Sequence, residues 1–483
     1  MSTSFDNAQR VAIIGGGPGG YEAALAAAQL GAEVTLVERA GVGGSAVITD
    51  VVPSKSLIAT ADAAVAIAGA SDLGVQLFAR DAKGTPLTPE IAINLAAVNK
   101  RLLALARQQS DDMRSSLVEA GVRIISGHGR LDGPGAVVVS TGPQGTAFDR
   151  VEADTLVVSV GASPRQLPHA KPDGERILTW TQLYDMATLP EHLIVVGSGV
   201  TGAEFASAYM NLGAKVTLVS SRDQVLPGED PDAAAVLEKV FRRGGMTLLA
   251  KARADRVERT DDGVRVLLAD GREIVGSHCL MAVGSIPNTH DIGLAEAGVE
   301  LTDSGHIRVN RVSRTSVPNI YAAGDCTTLM PLASVASMQG RTAVFHALGD
   351  VVIPLESRRI TANIFTAPEI ATIGWQEKDI AAGLINGVVH KLPLAANARA
   401  KMMGIKDGFV KVIAREGSGT VIGGVIVGPR ASDLIYPLAI AVERRLTVDQ
   451  MSRVFAVFPS LTGSIQDAVR AMHGVERSSG DEN

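Results

Sequence analysis

Two short glycine patterns carry the residue types and the spacing that bind phosphate. Each reads Gly-x-Gly-x-x-Gly, and the glycines are Gly15, Gly17, Gly20, Gly197, Gly199 and Gly202. In such a loop the first glycine allows a tight turn, the second lets the backbone approach a pyrophosphate, and the third lets a helix pack closely on a strand. The patterns therefore predict two dinucleotide sites, each at a helix N-terminus.

The segments around the two glycine patterns repeat each other. Residues 11–38 and 193–220 align without a gap and are identical at 13 of 28 positions. Each begins with a β-branched run, continues through the glycines into an Ala-rich helical pattern, and turns at Leu-Gly-Ala into a second β-branched run. This arrangement predicts two βαβ units and an α/β fold with two Rossmann-like dinucleotide-binding domains.

The two repeats differ at their last residue. The first ends in Glu38, whose carboxylate can accept hydrogen bonds from an adenosine ribose, so we expect it to hold FAD. The second ends in Ser220, and Arg222 follows two residues later. Without a carboxylate a 2′-phosphate is not repelled, and Arg222 can pair with it, so we expect NADPH to bind at least as well as NADH. A solvated loop cation is the alternative interpretation of Arg222.

Composition excludes several classes of protein. The 483 residues are 46% hydrophobic with a net charge of −6, which indicates several packed domains and disfavours nucleic acid as a partner. The N-terminus is polar, and the apolar stretch from Leu57 to Ala70 is expected to be too short to span a bilayer, so we expect a cytosolic protein without an integral membrane segment. Cys279 and Cys326 are too far apart for a redox pair or a metal site, and no metal is predicted.

The segment from Gly43 to Lys55 resembles the active-site segment of the flavoprotein disulfide reductases, Gly-Gly-Thr-Cys-x-x-x-x-Cys-x-Pro-Ser-Lys. Ala46 and Val51 stand where that family places its two redox cysteines. Thiolate exchange cannot proceed through a methyl and an isopropyl group. The chain thus resembles the pyridine nucleotide–disulfide oxidoreductases, which include dihydrolipoamide dehydrogenase, and within them the cysteine-less NAD(P)H quinone reductase branch.

This resemblance implies the remaining cofactor contacts. The Asp325 that ends Asn319–Asp325 is expected to bind the FAD ribityl chain, and a helix beginning near Leu332 is expected to lie under the flavin pyrimidine. The segments that contain Gly161 and Gly284 resemble the strand-to-loop crossovers between the FAD and nicotinamide domains. The full set of predicted cofactor-binding residues is Gly15, Gly17, Pro18, Gly20, Glu38, Arg39, Gly44, Ser45, Lys55, Gly161, Gly324, Asp325, Leu332, Ala333, Gly197, Gly199, Gly202, Glu204, Ser220, Arg222 and Gly284.

The resemblance also implies three catalytic residues. In the family, the lysine matched by Lys55 lies beside flavin N5 and pairs with the glutamate matched by Glu204, near the nicotinamide. The family's acid–base His and Glu are replaced by Phe458 and Gly463. Together with Ala46 and Val51, Phe458 of a second subunit would line a small apolar pocket suited to a flat two-electron acceptor. The alternative is that these apolar residues only fill the space left by the lost catalytic side chains and bind no acceptor.

Four segments are predicted: the FAD-binding domain in residues 1–155 and 285–350, the NAD(P)H-binding domain in 156–284, and a C-terminal α+β dimerisation domain in 351–483. In the last domain we expect strands at Ile360–Ile364, Gly408–Ile413 and Val421–Val427, and helices at Asp433–Arg444 and Thr462–Met472.

The predicted activity is hydride transfer from NAD(P)H to FAD, followed by two-electron reduction of a quinone by a homodimer. No proton donor is assigned; solvent and Tyr21 both stay open. The alternatives are an NAD(P)H oxidase, a reductase of a protein carrier, and a non-catalytic flavoprotein that binds a dinucleotide. A disulfide reductase that uses Cys326 is the most remote.

Overall fold

The computed structural model describes residues 8–76, 78–80, 86–87, 91–142 and 147–473. The strands are β1 Arg10–Ile14, β2 Glu33–Glu38, β3 Ala79–Arg80, β4 Pro86–Leu87, β5 Arg123–Ser126, β6 His128–Leu131, β7 Ala136–Thr141, β8 Ala147–Glu152, β9 Thr155–Val158, β10 Ala162–Pro164, β11 Ile177–Leu178, β12 His192–Val196, β13 Lys215–Val219, β14 Thr247–Leu249, β15 Ala254–Arg259, β16 Val264–Leu268, β17 Glu273–Gly276, β18 His278–Met281, β19 Ser285–Pro287, β20 Ile320–Ala322, β21 Thr361–Ile364, β22 Glu369–Gly374, β23 Gly387–Pro393, β24 Phe409–Arg415 and β25 Val421–Gly428.

The α-helices are α1 Pro18–Gln29, α2 Gly44–Ile48, α3 Val51–Ala68, α4 Leu95–Glu119, α5 Val200–Asn211, α6 Pro231–Arg243, α7 Ala333–Ala347, α8 Glu377–Ala381, α9 Ala398–Met402, α10 Ala431–Leu434, α11 Tyr436–Arg444, α12 Val448–Ser452 and α13 Gly463–Ala471. Short 3₁₀ helices occupy Ala70–Leu73, Trp180–Asp185, Ser357–Arg359 and Leu394–Ala396.

The chain forms two compact units. The first comprises Met1–Ser56, Asn99–Arg165 and Gly284–Ser357, and the second comprises Leu57–Val98, Gln166–Val283 and Arg358–Asn483.

The first unit is built on a parallel sheet with the order β20-β9-β1-β2-β5. Its strands are runs of Val, Ile and Leu because both faces are buried. Alternate residues of β1 enter two different cores: Val11 and Ile13 pack with helices α1 and α7, whereas Ala12 and Ile14 pack with the antiparallel sheet β6-β7-β8. The period of two in the strand therefore specifies both layers of this unit.

The second unit contains another parallel sheet, with the order β11-β18-β12-β13-β14, and a separate antiparallel sheet, β21-β22-β25-β24-β23. Helices α10, α11 and α13 contribute to the core of the antiparallel sheet. The predicted βαβ repeat is confirmed, because β1-α1-β2 and β12-α5-β13 are both parallel units. The predicted α/β class with two Rossmann-like sheets and a C-terminal α+β part is confirmed as well.

One predicted helix was wrong in its extent. Instead of a continuous helix over Asp433–Arg444, the chain forms α10 and α11, which meet at Ile435. Pro437 lies in the first turn of α11, where its missing N–H is not needed. A proline cannot extend a preceding helix, so a new helix starts at this point.

Among the described residues, the helical stretch Gly44–Ala68 is long and apolar enough to cross a membrane by length and composition. This stretch is longer than the apolar segment Leu57–Ala70 of the sequence analysis, because helical structure begins upstream of Leu57. The signal is weak, because buried core helices of soluble proteins and signal sequences pass the same test.

A buried cation links two parts of the second unit. Nζ of Lys411, on β24, lies 2.8 Å from Oδ2 of Asp230, 2.8 Å from Oδ2 of Asp232 and 2.7 Å from Oε2 of Glu377. The side chains of Lys411 and Asp230 are each only 1% exposed. Asp230 also caps α6 by accepting hydrogen bonds from the backbone N–H groups of Asp232 and Ala233. The cluster therefore fastens the start of α6 to the antiparallel sheet.

The charge of Lys411 is maintained by its partners. Burial lowers the pKa of this amine, but hydrogen bonds with Asp230, Asp232 and Glu377 outweigh that effect and raise it above the ordinary value. A buried ion pair adds little to stability compared with apolar residues, yet removing one partner leaves the other charge buried and unpaired.

We expect Lys411→Met to lower the free energy of unfolding by about 3–5 kcal/mol, because Asp230 then lies buried without its cation. Lys391→Met is the matched control, since Lys391 also bonds Asp232 but its side chain is 44% exposed; it should cost less than about 1 kcal/mol. Urea unfolding of both variants checks this. Equal losses in the two variants would contradict the assigned role of Lys411.

Candidate flavin and pyridine nucleotide sites

The first glycine loop is closed by backbone contacts that exclude any side chain at two positions. Gly15 has φ +96°, and a Cβ there would lie 2.2 Å from the carbonyl oxygen of Ser159. A Cβ on Gly20 would lie 1.9 Å from the carbonyl oxygen of Gly15. These two glycines are therefore required by the packing of β1, the turn and α1.

Gly17 differs from its neighbours, because the protein gives no steric reason for a glycine there. It is the N-cap of α1 with φ −63°, and a Cβ built on it meets no described atom within 4 Å. Gly199 occupies the same place before α5, with φ −71° and no atom within 4 Å of its Cβ position. A pyrophosphate approaching the helix N-terminus explains both glycines, so the two loops fit dinucleotides.

Glu38 is held in one orientation at the end of β2. Its Oε2 accepts a hydrogen bond from the N–H of Gly16 at 2.6 Å, and its Oε1 accepts from Ala40 at 2.7 Å and Gly41 at 3.2 Å. A carboxylate has about four lone-pair directions, so about one remains for a ribose hydroxyl. The structure therefore adds three backbone donors to the predicted ribose-binding residue. Arg39 is exposed beside it.

The segment that replaces the redox cysteines packs directly on the first glycine loop. Gly44 has φ +56°, and a Cβ on it would lie 2.9 Å from Cα of Gly17. The N–H of Gly43 donates to the carbonyl oxygen of Gly16 at 2.7 Å. This close approach positions α2, which carries Ser45 and Ala46, next to the loop.

Helix α3 begins at Val51 and carries the predicted Lys55 one turn later. Ser54 is buried, and its hydroxyl donates to the carbonyl oxygen of Val51. Lys55 is half-buried. Lys55, the lysine predicted to lie beside flavin N5, is thus presented from the first turns of a helix, within the same unit as the first glycine loop.

The Gly324–Asp325 motif is tied to helix α7 by residues that sequence reasoning missed. The N–H of Gly324 donates to Oε1 of Gln339 at 2.8 Å, and the hydroxyl of Thr327 donates to the carbonyl oxygen of Gly324 at 2.8 Å. A glutamine on an otherwise apolar face of α7 was the available signal for this contact. Burial raises the pKa of the Asp325 carboxyl, and the nearby His306 partly offsets this.

Helix α7 begins at Ala333, with Leu332 as its N-cap and no side-chain cap. Its first N–H groups are therefore available to a ligand, and the helix dipole favours negative charge there. Helices α1 and α7 approach closely, because a Cβ on Gly340 would lie 2.0 Å from the carbonyl oxygen of Gly19. A glycine on each helix therefore lets α1 and α7 pack closely against each other.

The two predicted crossovers pair with each other. Strands β10 and β19 are antiparallel neighbours, the N–H of Asn288 donates to Gly161 O at 3.0 Å, and the N–H of Arg165 donates to Gly284 O at 2.9 Å. The Asn288 side chain adds a hydrogen bond to Val160 O at 2.9 Å. Gly161 and Gly284, with φ +66° and +91°, both need the freedom of glycine at this junction.

The second glycine loop reproduces the geometry of the first. Gly197 has φ +110° with its Cβ position 2.2 Å from Ala282 O, and the Cβ position of Gly202 lies 1.9 Å from Gly197 O. In both loops, a carbonyl oxygen at the matching place excludes a side chain from the first and third glycines. The internal repeat therefore extends from the sequence to the backbone contacts.

Ser220, which replaces the carboxylate in the second repeat, is directed into the protein. Its buried hydroxyl accepts a hydrogen bond from the Ser198 hydroxyl at 2.7 Å and donates to Arg222 O at 3.1 Å. The side chain of Arg222 is exposed. Ser220 therefore shapes the turn, and Arg222 is the residue of this pair that is exposed to solvent.

Glu204 lies in helix α5 and is 5% exposed. Its Oε1 accepts a hydrogen bond from the backbone N–H of Phe365 at 2.8 Å. This donor comes from the segment after β21, far away in sequence, so no local pattern reveals it. Helix α5 follows the second glycine loop directly and carries both Gly202 and Glu204. The Phe365 hydrogen bond attaches this helix to the loop after β21.

Phe458 lies on an exposed apolar segment between α12 and α13. Its residue exposure is 86%, and Phe455 on the same segment is fully exposed at 101%. The segment is anchored at one end, where Nδ2 of Asn397 donates to Ser460 O at 3.1 Å. An ordered segment with two exposed aromatic rings is typical of a surface that another protein chain covers.

Both cysteines lie in hydrophobic cores. Cys279, on β18, packs in the core of the second parallel sheet, and Cys326 packs between the first parallel sheet and the antiparallel sheet β6-β7-β8. Each thiol is fully buried. Burial raises the pKa of Cys279 far above its usual value and raises that of Cys326 to about 11. Neither thiol is suited to redox exchange.

Comparison with known proteins agrees with this arrangement. Residues 9–340 match the family described as Pyridine nucleotide-disulphide oxidoreductase, and residues 360–469 match the dimerisation domain of the same family. The chain belongs to this family. The predicted family is thereby confirmed, and the FAD and NAD(P)H on which the family relies fit the two glycine loops.

Relatives within the family differ in what their names state. The chain is 49% identical over 471 residues to an NAD(P)H dehydrogenase (quinone) of Mycobacterium tuberculosis, covering 96% of this chain and 94% of that protein. It is 31% identical to a dihydrolipoyl dehydrogenase of Geobacillus stearothermophilus, covering 96% of both.

Solved structures of the same architecture include LpdA from Mycobacterium tuberculosis. It matches with a TM-score of 0.90 and 48% identity over 96% of this chain and all of that chain. The flavoprotein disulfide reductase RclA from Escherichia coli matches with a TM-score of 0.82 and 21% identity, over 95% and 99% of the two chains, which supports the fold alone.

The contacts of Gly17 and Gly199 predict that an alanine at either position impairs cofactor binding without disturbing the fold. Gly17→Ala should leave the fold intact, because its Cβ meets no described atom, yet reduce FAD content by roughly tenfold or more by obstructing the pyrophosphate. Gly199→Ala should retain FAD and raise the Kd of NADPH by a similar factor. Flavin absorbance per chain and NADPH titration check this. Loss of FAD in both variants alike would contradict the assignment of the loops.

The cysteines predict that the native protein has no reactive thiol. At pH 8 a thiol with a pKa of about 11 is ionised to roughly one part in a thousand, and both thiols are also buried. We expect a disulfide reagent to label neither cysteine before denaturation and both afterwards. Cys326→Ser should leave turnover unchanged. Rapid labelling of the native protein would contradict this.

Proposed function

We propose that this chain is a flavin-dependent NAD(P)H:quinone oxidoreductase and does not reduce disulfides. The observation that carries the proposal is the replacement of the redox cysteines by Ala46 and Val51, together with the burial of Cys279 and Cys326 in cores. The 49% identity to an NAD(P)H dehydrogenase (quinone) over nearly the whole chain supports it.

The chain's residues fit the donor side of such a reaction. When bound, FAD supplies hydride acceptance and two-electron transfer. The loop from Gly15 to Gly20 and the carboxylate of Glu38 bind and orient that cofactor, while Gly197 to Gly202 bind NAD(P)H. We assign Lys55 and Glu204 to the hydride-transfer step and the N-terminus of α7 to the stabilisation of negative charge on the ligand. Arg222 is the residue proposed to favour NADPH.

We infer that the acceptor side is apolar. Ala46 and Val51 offer no proton donor and no nucleophile, and Phe458 stands where the family's disulfide reductases carry their acid–base histidine. Flat, apolar quinones suit such a lining, because their reduction needs no covalent bond to the protein. In the proposed homodimer, Phe458 is contributed by the second subunit, in agreement with the exposure of its segment.

The quinone assignment is tested in two separate half-reactions. Under anaerobic conditions NADPH should bleach the flavin, and a benzoquinone or naphthoquinone should restore its colour faster than oxygen does. If oxygen is the faster oxidant, the protein is an NAD(P)H oxidase. If NADPH does not bleach the flavin, the non-catalytic alternative replaces both.

Phe458→Ala should slow reoxidation by quinone about tenfold, because the loss of one buried aromatic contact corresponds to more than about 1.4 kcal/mol. Flavin reduction by NADPH should stay unchanged. Phe148→Ala is the matched control, since Phe148 is also exposed, at 68%, but lies on β8. Stopped-flow reoxidation of both variants checks this. Unchanged reoxidation in Phe458→Ala would remove Phe458 from the acceptor site.

A further inference from the structure

Helix α5 presents two buried polar side chains to one loop. Glu204 accepts a hydrogen bond from the N–H of Phe365 at 2.8 Å, and Oγ of Ser207 accepts one from the N–H of Ala367 at 3.1 Å. Ser207 is 1% exposed. Residues three apart lie on the same face of a helix, so the two acceptors form one row.

The loop is shaped to match that row. It joins β21, which ends at Ile364, to β22, which begins at Glu369. The buried hydroxyl of Thr366 donates to Pro368 O at 2.7 Å, which closes the loop on itself. The N–H groups of Phe365 and Ala367 both point to α5. Two donors and two acceptors therefore meet in register.

The role of Ser207 in this row is unusual for a helical serine. Within helices, serine hydroxyls commonly donate to the carbonyl oxygen one turn earlier. The described hydrogen bond of Ser207 instead accepts an N–H from a different domain segment. This bond attaches the loop to α5 two residues after Phe365, whose N–H donates to Glu204. Hydrogen bonds from an N–H to a carboxylate are strong and directional.

We propose that Ser207 is a positioning residue for hydride transfer. By holding the loop of residues 365–368 on α5, it keeps the Phe365 N–H on Glu204 and so keeps that carboxylate in one orientation. The proposal rests on the proposed function of Glu204 in the hydride-transfer step. It does not depend on the identity of the electron acceptor.

The experiment measures flavin bleaching by NADPH under anaerobic conditions at saturating nucleotide. Ser207→Ala should slow bleaching roughly tenfold, because a misoriented group near the reacting atoms reduces the rate. The Kd of NADPH should change less than twofold, and the isotope effect with deuterated NADPH should increase as hydride transfer limits the rate more fully. Ser207→Thr keeps the hydroxyl and should restore the rate. Bleaching reports flavin-bearing molecules, so incomplete FAD content does not obscure the rate.

Two controls distinguish this role from general stability. Ser464→Ala removes another fully buried hydroxyl, one without a hydrogen-bond partner among the described residues, and should leave bleaching unchanged. Glu204→Gln removes the charge but keeps an oxygen that can accept from Phe365, and it should slow bleaching. If Glu204→Gln is slow and Ser207→Ala is normal, the positioning role is wrong and the proposed function stands. If both are normal, the assignment of Glu204 fails and the inference fails with it.

Discussion

In each βαβ repeat, the helix packs against the carbonyl oxygen of the first glycine of its loop. This close packing is the constraint on which the structure depends. A single extra carbon on Gly20 or Gly202 would lie 1.9 Å from the carbonyl oxygen of Gly15 or Gly197. Because the helix can come this close, its first N–H groups face the carboxyl ends of the parallel strands, where ligands of such sheets bind. The ribose-binding carboxylate of Glu38 and the segment that replaces the cysteines both contact the first of these turns.

The parts of the fold that arise from local pattern could be predicted, and those that arise from distant contacts could not. The glycine spacing and the strand–helix–strand periodicity specify both βαβ units, because they depend on neighbouring residues. Lys411 appears in sequence as an ordinary lysine in a Val-rich strand, and its partner Asp230 lies 181 positions away. Nothing local indicates that this cation is buried, and the same holds for the Phe365 N–H on Glu204.

The candidate site divides in the same way. Gly17 and Gly199 were predicted from spacing, and the structure gives them a sharper meaning, because no described atom requires a glycine there. Gln339 and Thr327, which fix the Gly324 turn, were missed, because a glutamine among apolar residues of a helix does not indicate which distant group it bonds. A single helix was predicted over Asp433–Arg444, but Pro437 lies in the first turn of α11 and sets where that helix starts.

The pairing of Lys411 with Asp230 has a consequence for how this protein can change over time. Each is tolerable only in the presence of the other, so a lineage that loses one passes through a less stable ancestor, whereas exchange of both for apolar residues is far less costly. The strand position and the helix-cap position should therefore co-vary among relatives. A chimaera that joins the nucleotide domain of one relative to the C-terminal domain of another must inherit compatible residues at both places to remain well folded.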